Sequence, residues 1–525
     1  MTIITWDDWR EWLDQGHTMM PYIQKYPKAA SSIESWQSVW REASPYAFAL
    51  ESGKEGRYHF MGMHPRSVIK GKGDEAVITD FGSNRVSTAK GFPLTLVKQW
   101  LQPYRAPKVK GVPKFTGGIV GYWAYDAVRM MERIPEKAKD DAGLPDYYFM
   151  MMDELWIVDA LTGDLYCCVH VPVHHQPDLA HQNDVEAWKL KFQEAKARAR
   201  AMKEVWDGCM TDSIAVQQAR QRSRAYASIS SQALQDIEIE KVEGIHIDFP
   251  KSAFADAVKQ IQEYIRAGDV FQVNISTRQR RLLKASGEEI YEWLRLCNPS
   301  PYMAYVRFPE LQLVSASPEL LVRLEGSKLS TRPIGGTRRR GSTKAEDDEL
   351  ADELIYNDKE RAEHIMLVDL ERNDMGRICA FGSVRVKEFM VLEYYSHVMH
   401  IVSEIEGLLA ENKDIFDVIE AVFPGGTITG APKIRTMEII EQLEPVRRGP
   451  YTGSLGWIDY NGDAEFNIMI RTLVIDEKGQ GYVQAGAGIV IDSDPEKEYA
   501  ESLNKAKALW QAVQYSERWK GEHLL

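Results

Sequence analysis

Residues 358–377 read DKERAEHIMLVDLERNDMGR, and this stretch of the 525-residue chain constrains how the rest must fold. Spacings of three and four residues put apolar side chains and carboxylates on one face of a predicted helix, at Glu363, Met366, Leu367, Leu370 and Asp374. An inward carboxylate is costly unless it meets a metal ion or a positive charge, so we expect Glu363 to have such a partner. The competing interpretation is an ordinary helix with solvated charges.

A second predicted helix, near the end of the chain, also carries carboxylates beside its buried edge. Asp494 and Pro495 have the form of an N-cap followed by proline at the first helical position. Beyond them, Glu498, Glu501 and Lys505 share a line next to the apolar row. Two such helices can offer oxygen ligands to a hard divalent cation while leaving positions for substrate and water, as magnesium sites do.

Composition narrows the class of protein. The chain has 64 basic and 77 acidic residues and a net charge of -13, which argues against nucleic acid as its main partner. Its five cysteines form no C-x-x-C pair, so neither a disulfide framework nor a zinc site is indicated. The start, MTIITWDDWREW, does not resemble a secretory signal, and no apolar segment reaches ~18 residues. We therefore expect a cytoplasmic protein.

The chain is predicted to contain two units. Residues 1–205 alternate short apolar strands with turns, which is typical of an antiparallel sheet with helices packed on it. The strands are predicted at residues 46–51, 57–61, 67–70, 76–79 and 155–159. An Ala-, Lys- and Glu-rich stretch from residue 184 to about 205 predicts an exposed amphipathic helix. A polar linker at 206–245 then leads to the second unit, 246–525.

Two strand-like segments of the second unit carry candidate chemistry. In 271–276 the side chains alternate, so Gln272, Asn274 and Ser276 form a polar face. Such a face is most often exposed to solvent, and the alternative is the wall of a site. Around His400 the pattern again has a period of two. A histidine between valines is usually a hydrogen-bonded core residue, although neutral imidazole near a carboxylate can also transfer a proton.

Glycine-rich segments supply further candidates. Residues 332–341, RPIGGTRRRG, permit close backbone approach to a ligand and offer arginines to an anion, although a turn with solvated arginines is commoner. Residues 424–433, PGGTITGAPK, join two predicted helices. They lack the Gly-Lys-Ser/Thr ending that a nucleotide phosphate requires, which argues against nucleotide binding there. Their backbone N–H groups suit a carboxylate as well as a phosphate.

Motifs spread over about residues 250–510 resemble those of the chorismate-utilising enzymes. They are Ser317-Pro318-Glu319, the Pro-Ile-x-Gly-Thr pattern at 333–337, residues 360–364 and 369–374, the loop at 425–433, Ile470-Arg471-Thr472, Gly486-Ala487-Gly488 and residues 498–505. Residues 50–52, 56–58 and 117–122 resemble the N-terminal regulatory-type domain of the ammonia-using members. The resemblance implies an α+β fold, with antiparallel β-sheets packed as a sandwich, helices on the outside and a C-terminal chorismate-binding catalytic domain.

The resemblance also implies a magnesium ion held by Glu363 and Glu501, with Glu360 and Glu498 close by. The ion would bind the ring carboxylate of chorismate. Glu319 would protonate the departing C4 hydroxyl, because hydroxide is a poor leaving group. The other implied catalytic residues are His400, Gln272 and Thr337. The implied substrate-binding residues are Gly336, Thr427, Tyr451, Arg471, Gly488 and Lys505.

Position 272 bears on which nucleophile attacks the ring. Family members that add water resemble one another in having a lysine there as general base, whereas ammonia carries its own lone pair, and this chain has Gln272. We therefore expect ammonia to be the nucleophile. No G-x-C-x-G glutaminase elbow surrounds any cysteine, so the ammonia is expected to come from a separate glutamine amidotransferase subunit.

Two aminated products fit this expectation. One branch of the family keeps the enolpyruvyl group and gives 4-amino-4-deoxychorismate for p-aminobenzoate and folate, and the other expels pyruvate and gives anthranilate for tryptophan. Gly335 occupies the variable position of Pro-Ile-x-Gly-Thr, where a nucleophilic lysine or an alanine is usual, and specifies neither. Segments 426–430, 447–457 and 466–471 most resemble the aminodeoxychorismate synthase component I branch in its Gram-positive form. The anthranilate synthase component I branch is the alternative.

A non-enzymatic alternative is a catalytically silent tryptophan sensor on the same scaffold. Glu51, Ser52, Pro301 and Tyr302 resemble the tryptophan pocket of the family. The retained metal carboxylates and Glu319 argue against silence, because a sensor has no use for costly inward charges.

Overall fold

Two large antiparallel sheets form the frame of the molecule. The structure, a computed structural model, describes residues 2–30, 33–53, 56–173, 185–228, 237–394 and 398–523. Within these ranges there are 24 strands and twelve α-helices, and one buried apolar cluster takes side chains from both sheets. The predicted α+β class with antiparallel sheets is confirmed. No helix in the described ranges has the length and apolar character needed to span a membrane.

The first sheet contains strands from both ends of the chain. Its order is β1 (Met19–Tyr26), β10 (Asp164–Pro172), β9 (Glu154–Asp159), β3 (Tyr58–Met63), β2 (Ala47–Glu51), β13 (Tyr302–Arg307), β14 (Leu311–Ser317), β23 (Thr472–Asp476), β24 (Gln480–Ile489), β12 (Gln272–Leu282) and β11 (His246–Ile247), with β20 (Gly430–Ala431) beside β12.

The second sheet is built in the same mixed way. Its order is β17 (Ile334–Arg339), β19 (Val398–Leu408), β16 (Lys328–Arg332), β15 (Leu320–Glu325), β22 (Ala464–Asn467), β21 (Ser454–Asp459), β7 (Gly118–Trp123), β8 (Tyr147–Met152), β4 (Ser67–Lys72), β5 (Glu75–Asp80) and β6 (Arg85–Lys90), with β18 (Arg385–Tyr394) beside β19.

The helices pack against these sheets and against one another. They are α1 (Trp6–Asp14), α2 (Gln37–Glu42), α3 (Pro93–Leu101), α4 (Val185–Met210), α5 (Ser213–Ser228), α6 (Lys251–Arg266), α7 (Gly287–Cys297), α8 (Lys344–Tyr356), α9 (Asp358–Gly376), α10 (Ile415–Val422), α11 (Lys433–Leu443) and α12 (Pro495–His523).

Local chemistry explains where the two carboxylate-bearing helices begin. Helix α9 starts after Asn357, whose side chain accepts a hydrogen bond from the Glu360 N–H. Helix α12 starts at Pro495, and the Asp494 carboxylate accepts from the N–H of Glu496. Helix α9 packs on β17 and β19 of the second sheet, and α12 packs on β24 of the first. The two helices therefore approach from different sheets.

The two predicted units share both sheets. Ala49 of β2 lies opposite Tyr305 of β13, and Val120 of β7 lies opposite Trp457 of β21. Within the predicted linker, helix α5 is ordered against α7, while residues 229–236 lie outside the described residues, as does residue 184 at the predicted start of α4. The division into 1–205, 206–245 and 246–525 stays a prediction.

Candidate active site

Glu319 lies deep in the molecule at the corner between β14 and β15. The Ser317 hydroxyl donates to the Ile468 carbonyl at 2.6 Å, and the Ile468 N–H donates to the Glu319 carbonyl at 3.0 Å, which fixes the backbone here. Glu319 is 5% exposed, and its Oε1 has no hydrogen-bond partner in the described part of the chain. Burial raises the pKa of this carboxyl to about 8, and the charge of Glu371 adds to the rise. Glu319 is therefore mostly protonated near neutral pH.

His400 faces Thr337 across neighbouring strands of the second sheet. The two residues are in register, and Thr337 Oγ1 lies 2.9 Å from His400 Nδ1. Burial lowers the pKa of the imidazole to about 4, and the positive charge of Arg471 lowers it as well. The ring is therefore neutral at physiological pH. Next to Thr337, Gly336 has a φ of 46°, a left-handed conformation that glycine tolerates.

Arg471 brings a positive charge into the same region. Its φ of 50° is unusual for a residue with a side chain, and such strain is often found at functional sites. Burial lowers the pKa of its guanidinium, and no acid within the described ranges raises it. The Thr452 N–H donates to the Met469 carbonyl at 2.8 Å, which brings Tyr451 alongside this segment. A half-buried cation beside a buried phenol suits an anionic group of a ligand.

The 425–433 loop and the start of α12 bring further polar groups together. The Asn274 amide donates to the Thr427 carbonyl at 3.3 Å, and the Thr427 hydroxyl approaches Glu319 without completing a well-formed hydrogen bond. Lys505 donates to the Gly486 carbonyl at 2.9 Å, and its charge reaches Glu319. The loop, the 486–488 segment and α12 therefore meet beside Glu319.

Carboxylates from α9 and α12 oppose one another near this point. Burial raises the pKa of Glu363, and the charges of Glu360 and Glu501 raise it as well. Burial also raises the pKa of Glu498, with a contribution from Glu501. The four carboxylates that the sequence grouped as metal ligands are thus close enough to repel.

Each of three carboxylates has a partner of its own. Glu363 Oε1 accepts from the Gln272 side-chain amide at 2.6 Å, so its partner in the structure is an amide, where a metal or cation was predicted. Glu360 pairs with Arg338 at 2.8 Å. Glu501 pairs with Lys505 at 2.8 Å.

The donor set fits a hard divalent cation in its chemistry. Carboxylate oxygens are what magnesium prefers, and a dication would relieve the repulsion that raises the pKa of Glu363 and of Glu498. Across the described ranges, no three acidic, histidine or cysteine residues are already gathered at metal-binding distances. The magnesium site stays a prediction.

The polar face of β12 lines the interior, so the solvent-exposed interpretation is wrong. Gln272 is 6% exposed and Ser276 is 1% exposed. The cause is tertiary: β20 and β24 flank the strand, and the acidic side chains of Glu363 and Glu444 accept hydrogen bonds from its polar groups. A Cβ atom on Gly488 would lie 2.4 Å from Gln272 Nε2, so a side chain there would displace the Gln272 amide from its present position.

Comparison with known proteins assigns this chain to a family. Residues 45–511 match the model of the family described as chorismate binding enzyme. This span contains every predicted catalytic, substrate-binding and metal residue. The chain belongs to the chorismate binding enzyme family. The resemblance predicted from the motifs is therefore confirmed.

Relatives in the family bear two different names. The chain is 44% identical over 496 residues to aminodeoxychorismate synthase component 1 of Bacillus subtilis (strain 168), covering 94% of this chain and 95% of that protein. It is 40% identical over 518 residues to anthranilate synthase component 1 of Aquifex aeolicus (strain VF5), covering 97% and 98%. The crystal structure of anthranilate synthase component I from Streptococcus pneumoniae TIGR4 superposes with a TM-score of 0.67 at 28% identity, covering 87% and 93%.

The motif-based prediction missed a buried ion pair that supports this chorismate-family site. Arg448 pairs with Glu444 at 2.7 Å and also donates to the backbone carbonyls of Ile428 and Asn274 at 2.9 and 2.7 Å. Glu444 in turn accepts from the Ser276 N–H at 2.9 Å. The pair thereby ties the 425–433 loop, β12 and the Tyr451 segment together. The dipeptide Arg447-Arg448 before Gly449-Pro450 was visible in the sequence, but its burial was not.

His364 is a second residue to which the sequence gave no role. It is fully buried on α9, its Nε2 lies 2.7 Å from Ser403 Oγ, and its Nδ1 has no hydrogen-bond partner among the described residues. A Cβ atom on Gly335 would lie 2.4 Å from that Nδ1. Burial lowers the pKa of the ring to about 4. The space that a side chain at position 335 would need is thus occupied by His364.

The four residues of the predicted tryptophan pocket line one cavity. Glu51, Ser52, Pro301 and Tyr302 contribute to its wall together with aromatic side chains such as Trp457. Both Glu51 oxygens accept hydrogen bonds, from the Tyr291 hydroxyl at 2.6 Å and from Arg295 at 3.0 Å. Whether tryptophan enters this cavity stays a prediction.

Proposed function

We propose that this protein aminates chorismate in a magnesium-dependent reaction, using ammonia from a separate glutamine amidotransferase subunit and giving 4-amino-4-deoxychorismate. The observation that carries the proposal is the buried, protonated Glu319 set among a neutral histidine, two carboxylate-bearing helices and Arg471, which forms no ion pair with any described residue. The name of the Bacillus subtilis relative, a component 1, supports both the product and the need for a second component.

In the first step, Glu319 would act as a general acid. Its proton goes to the oxygen at C4 of chorismate, and the C4–O bond breaks with release of water. A carboxyl of ordinary pKa would be ionised at neutral pH, whereas burial raises the pKa of Glu319 to about 8 and keeps the proton available. His400, neutral and fixed by Thr337, would lie beside the reacting ring as a hydrogen-bonding group.

Binding of the two substrate carboxylates is divided between two parts of the site. Arg471, which has no acidic partner in the described part of the chain, would bind the enolpyruvyl carboxylate with Tyr451 and the backbone at Gly488. Lys505 and Thr427 would lie by the ring carboxylate.

Magnesium would be held by Glu363 and Glu501, with Glu360 and Glu498 beside them. A bound magnesium ion supplies charge that polarises the ring and its leaving group. Held there, the ion would attract the ring carboxylate of chorismate, and Glu319 would remain free to protonate the oxygen at C4.

The proposed nucleophile follows from the lack of a basic side chain at position 272. Water needs a base to remove its proton, and a glutamine amide is not basic. In addition, the Gln272 side-chain N–H donates a hydrogen bond to Glu363 Oε1 at 2.6 Å. Ammonia has a free lone pair at the moment of attack and needs no such base, so ammonia is the nucleophile we propose. Its nitrogen would form the new bond to C4 as the C4–O bond breaks, and the resulting ammonium group would lose one proton to solvent.

Anthranilate is the second candidate product, and it has specific support. The Aquifex aeolicus and Thermus thermophilus relatives, at 40% and 42% identity, are named anthranilate synthase component 1. Position 335, where other family members carry a nucleophilic lysine, is a glycine packed against His364, so no side chain from this position can attack the ring. We therefore propose that aminodeoxychorismate forms here without a covalent adduct at this position.

Product analysis tests the proposal. The purified protein is incubated with chorismate, magnesium and an ammonium salt, with and without an aminodeoxychorismate lyase. We expect p-aminobenzoate only when the lyase is present and no fluorescent anthranilate in its absence. Anthranilate formed without lyase would replace the proposed product by the second candidate, and chorismate left unchanged would refute amination altogether.

A further inference from the structure

A second buried carboxyl lies behind Glu319, on helix α9. Glu371 is 4% exposed, and its Oε2 accepts a hydrogen bond of 3.2 Å from Thr331 Oγ1 on β16. Leu370, the residue before Glu371, packs against the Gly426 backbone, where an added Cβ atom would lie 2.3 Å from Leu370 Cδ2. Thr331 adjoins Arg332, which pairs with Leu320, the residue after Glu319. The Gly426–Thr427 turn and the end of β16 therefore lie between helix α9 and Glu319. Neither the acid step nor the substrate contacts described above give Glu371 a role.

The charges facing this pair of acids come from three helices. The like charge of Asp374, on the same helix, raises the pKa of Glu371, and the positive charge of Lys433 of α11 lowers it. Lys433 itself forms an ion pair with Asp374. Lys505 of α12 faces Glu319. Within the described residues, the side chain bonded to Glu371 is the neutral Thr331. Glu371 forms no ion pair within the described residues, although Lys433 lowers its pKa, and its charge acts on Glu319.

We propose that Glu371 is a positioning residue that keeps the proton on Glu319, acting through its charge across the Gly426–Thr427 turn. The inference rests on the proposed amination, in which Glu319 is the acid. Burying a carboxyl is costly, and the proposal gives this one a function.

The proton balance of the reaction gives this role a physical basis. When the C4–O bond breaks, Glu319 passes its proton to the departing oxygen and becomes a carboxylate that faces Glu371. Two buried carboxylates repel, so Glu319 regains a proton from solvent before the next substrate binds. The shifts agree in direction: burial raises the pKa of Glu371 to about 7, and burial with the charge of Glu371 raises the pKa of Glu319 to about 8.

The test is a pH titration of the Glu319 carboxyl by infrared difference spectroscopy, in which the Glu319→Gln spectrum is subtracted to isolate its band. Glu371→Gln removes a charge that raises the Glu319 pKa, so the midpoint is expected to fall by about one pH unit. The high-pH limb of kcat for amination should move down by the same amount. Glu371→Asp keeps the charge and is expected to restore both midpoints towards the wild-type values.

Two further variants keep the test decisive. Thr331→Val removes the hydrogen bond that lowers the Glu371 pKa, so Glu371 holds less charge and the Glu319 midpoint is expected to fall by a smaller amount, even where Glu371→Gln fails to fold. Glu349→Gln removes an exposed charge from the neighbouring helix α8 and should change nothing.

An unchanged Glu319 midpoint in folded Glu371→Gln or Thr331→Val would overturn the role of Glu371, as would an equal fall in Glu349→Gln. Failure of the proposed function has a different signature. In that case the wild-type protein forms no aminated product, while the infrared midpoint still reports whether Glu371 controls the proton on Glu319.

Discussion

At the scale of single residues, burial of Glu319 raises the pKa of its carboxyl to about 8, so the proton is retained near neutral pH. In the proposed reaction this carboxyl is active when protonated. The protonated fraction is therefore high below that pH and is lost as pH rises through it. We expect kcat for amination to fall as pH rises above about 8, measured at saturating chorismate and fixed free ammonia. A constant kcat across that range would contradict the assignment.

Gly335 gives a second prediction at this scale. Its Cβ-free backbone lies against His364, and an added Cβ would come within 2.4 Å of the ring Nδ1. Gly335→Ala should therefore displace His364 and lower the free energy of unfolding by about 1–3 kcal/mol, measured by denaturant titration. Gly208→Ala is the matched control, because Gly208 lies inside helix α4 with open space around it, and should stabilise by about 0.5–1 kcal/mol. Equal effects in both variants would refute the packing argument.

Individual residues also mark the limit of what the sequence predicts. Glu319, Arg471 and Lys505 were selected because they match family motifs, and the structure brings them to one region. The burial of Glu371 and Arg448 was not predictable, because each is inward only through contacts with segments distant in the sequence, such as Thr331 and Glu444.

At the scale of elements, helices α9 and α12 determine the magnesium prediction. Their carboxylates repel across the site, so removal of one charged ligand should weaken cation binding. We expect Glu363→Gln to raise the magnesium concentration for half-maximal activity by about tenfold or more, or about 1.4 kcal/mol. Manganese binding followed by electron paramagnetic resonance should weaken in parallel.

The control for that prediction is again Glu349→Gln, which removes an exposed carboxylate from α8. Its magnesium dependence should match that of the wild type. Unchanged activity of Glu363→Gln at limiting magnesium would remove Glu363 from the metal site.

The loop preceding helix α11 and the strand β12 depend on the buried pair of Arg448 and Glu444. Loss of the arginine leaves a buried carboxylate without its counter-charge, so Arg448→Met should lower the free energy of unfolding by about 3–5 kcal/mol. Arg372→Met is a suitable control, because Arg372 pairs with Asp369 at the surface, where such pairs contribute about 0–1 kcal/mol. Similar losses in the two variants, by denaturant titration, would contradict the proposed role of the buried pair.

Elements were predicted well where their pattern is local. The five strands expected in the N-terminal part correspond to β2, β3, β4, β5 and β9. The expected amphipathic helix corresponds to α4, which is exposed on one face and buries Trp188 and Trp206 on the other. The polar face of β12 was misjudged, because alternation shows that a strand has two faces but not which element will cover the second. Here β20, β24 and α9 supply that cover through residues far away in the chain.

At the scale of the whole molecule, the sheets combine strands that are hundreds of positions apart. β2 next to β13 and β7 next to β21 join residues before 205 to residues after 246 within continuous sheets. Period-two patterns carry no information about which strands become neighbours, so this arrangement could be expected only from the family resemblance. Because the site draws on both sheets, its geometry depends on the fold as a unit.

The central claim is that this fold assembles an ammonia-dependent aminating site in which buried Glu319 is the acid. The most direct measurement is incorporation of ¹⁵N from labelled ammonium into the chorismate-derived product, compared between the wild type and Glu319→Gln with chorismate binding checked by calorimetry. We predict labelled product from the wild type and a loss of about 10²–10⁴-fold in kcat for Glu319→Gln with chorismate binding retained. Unlabelled product from the wild type, or full turnover by Glu319→Gln, would contradict the account.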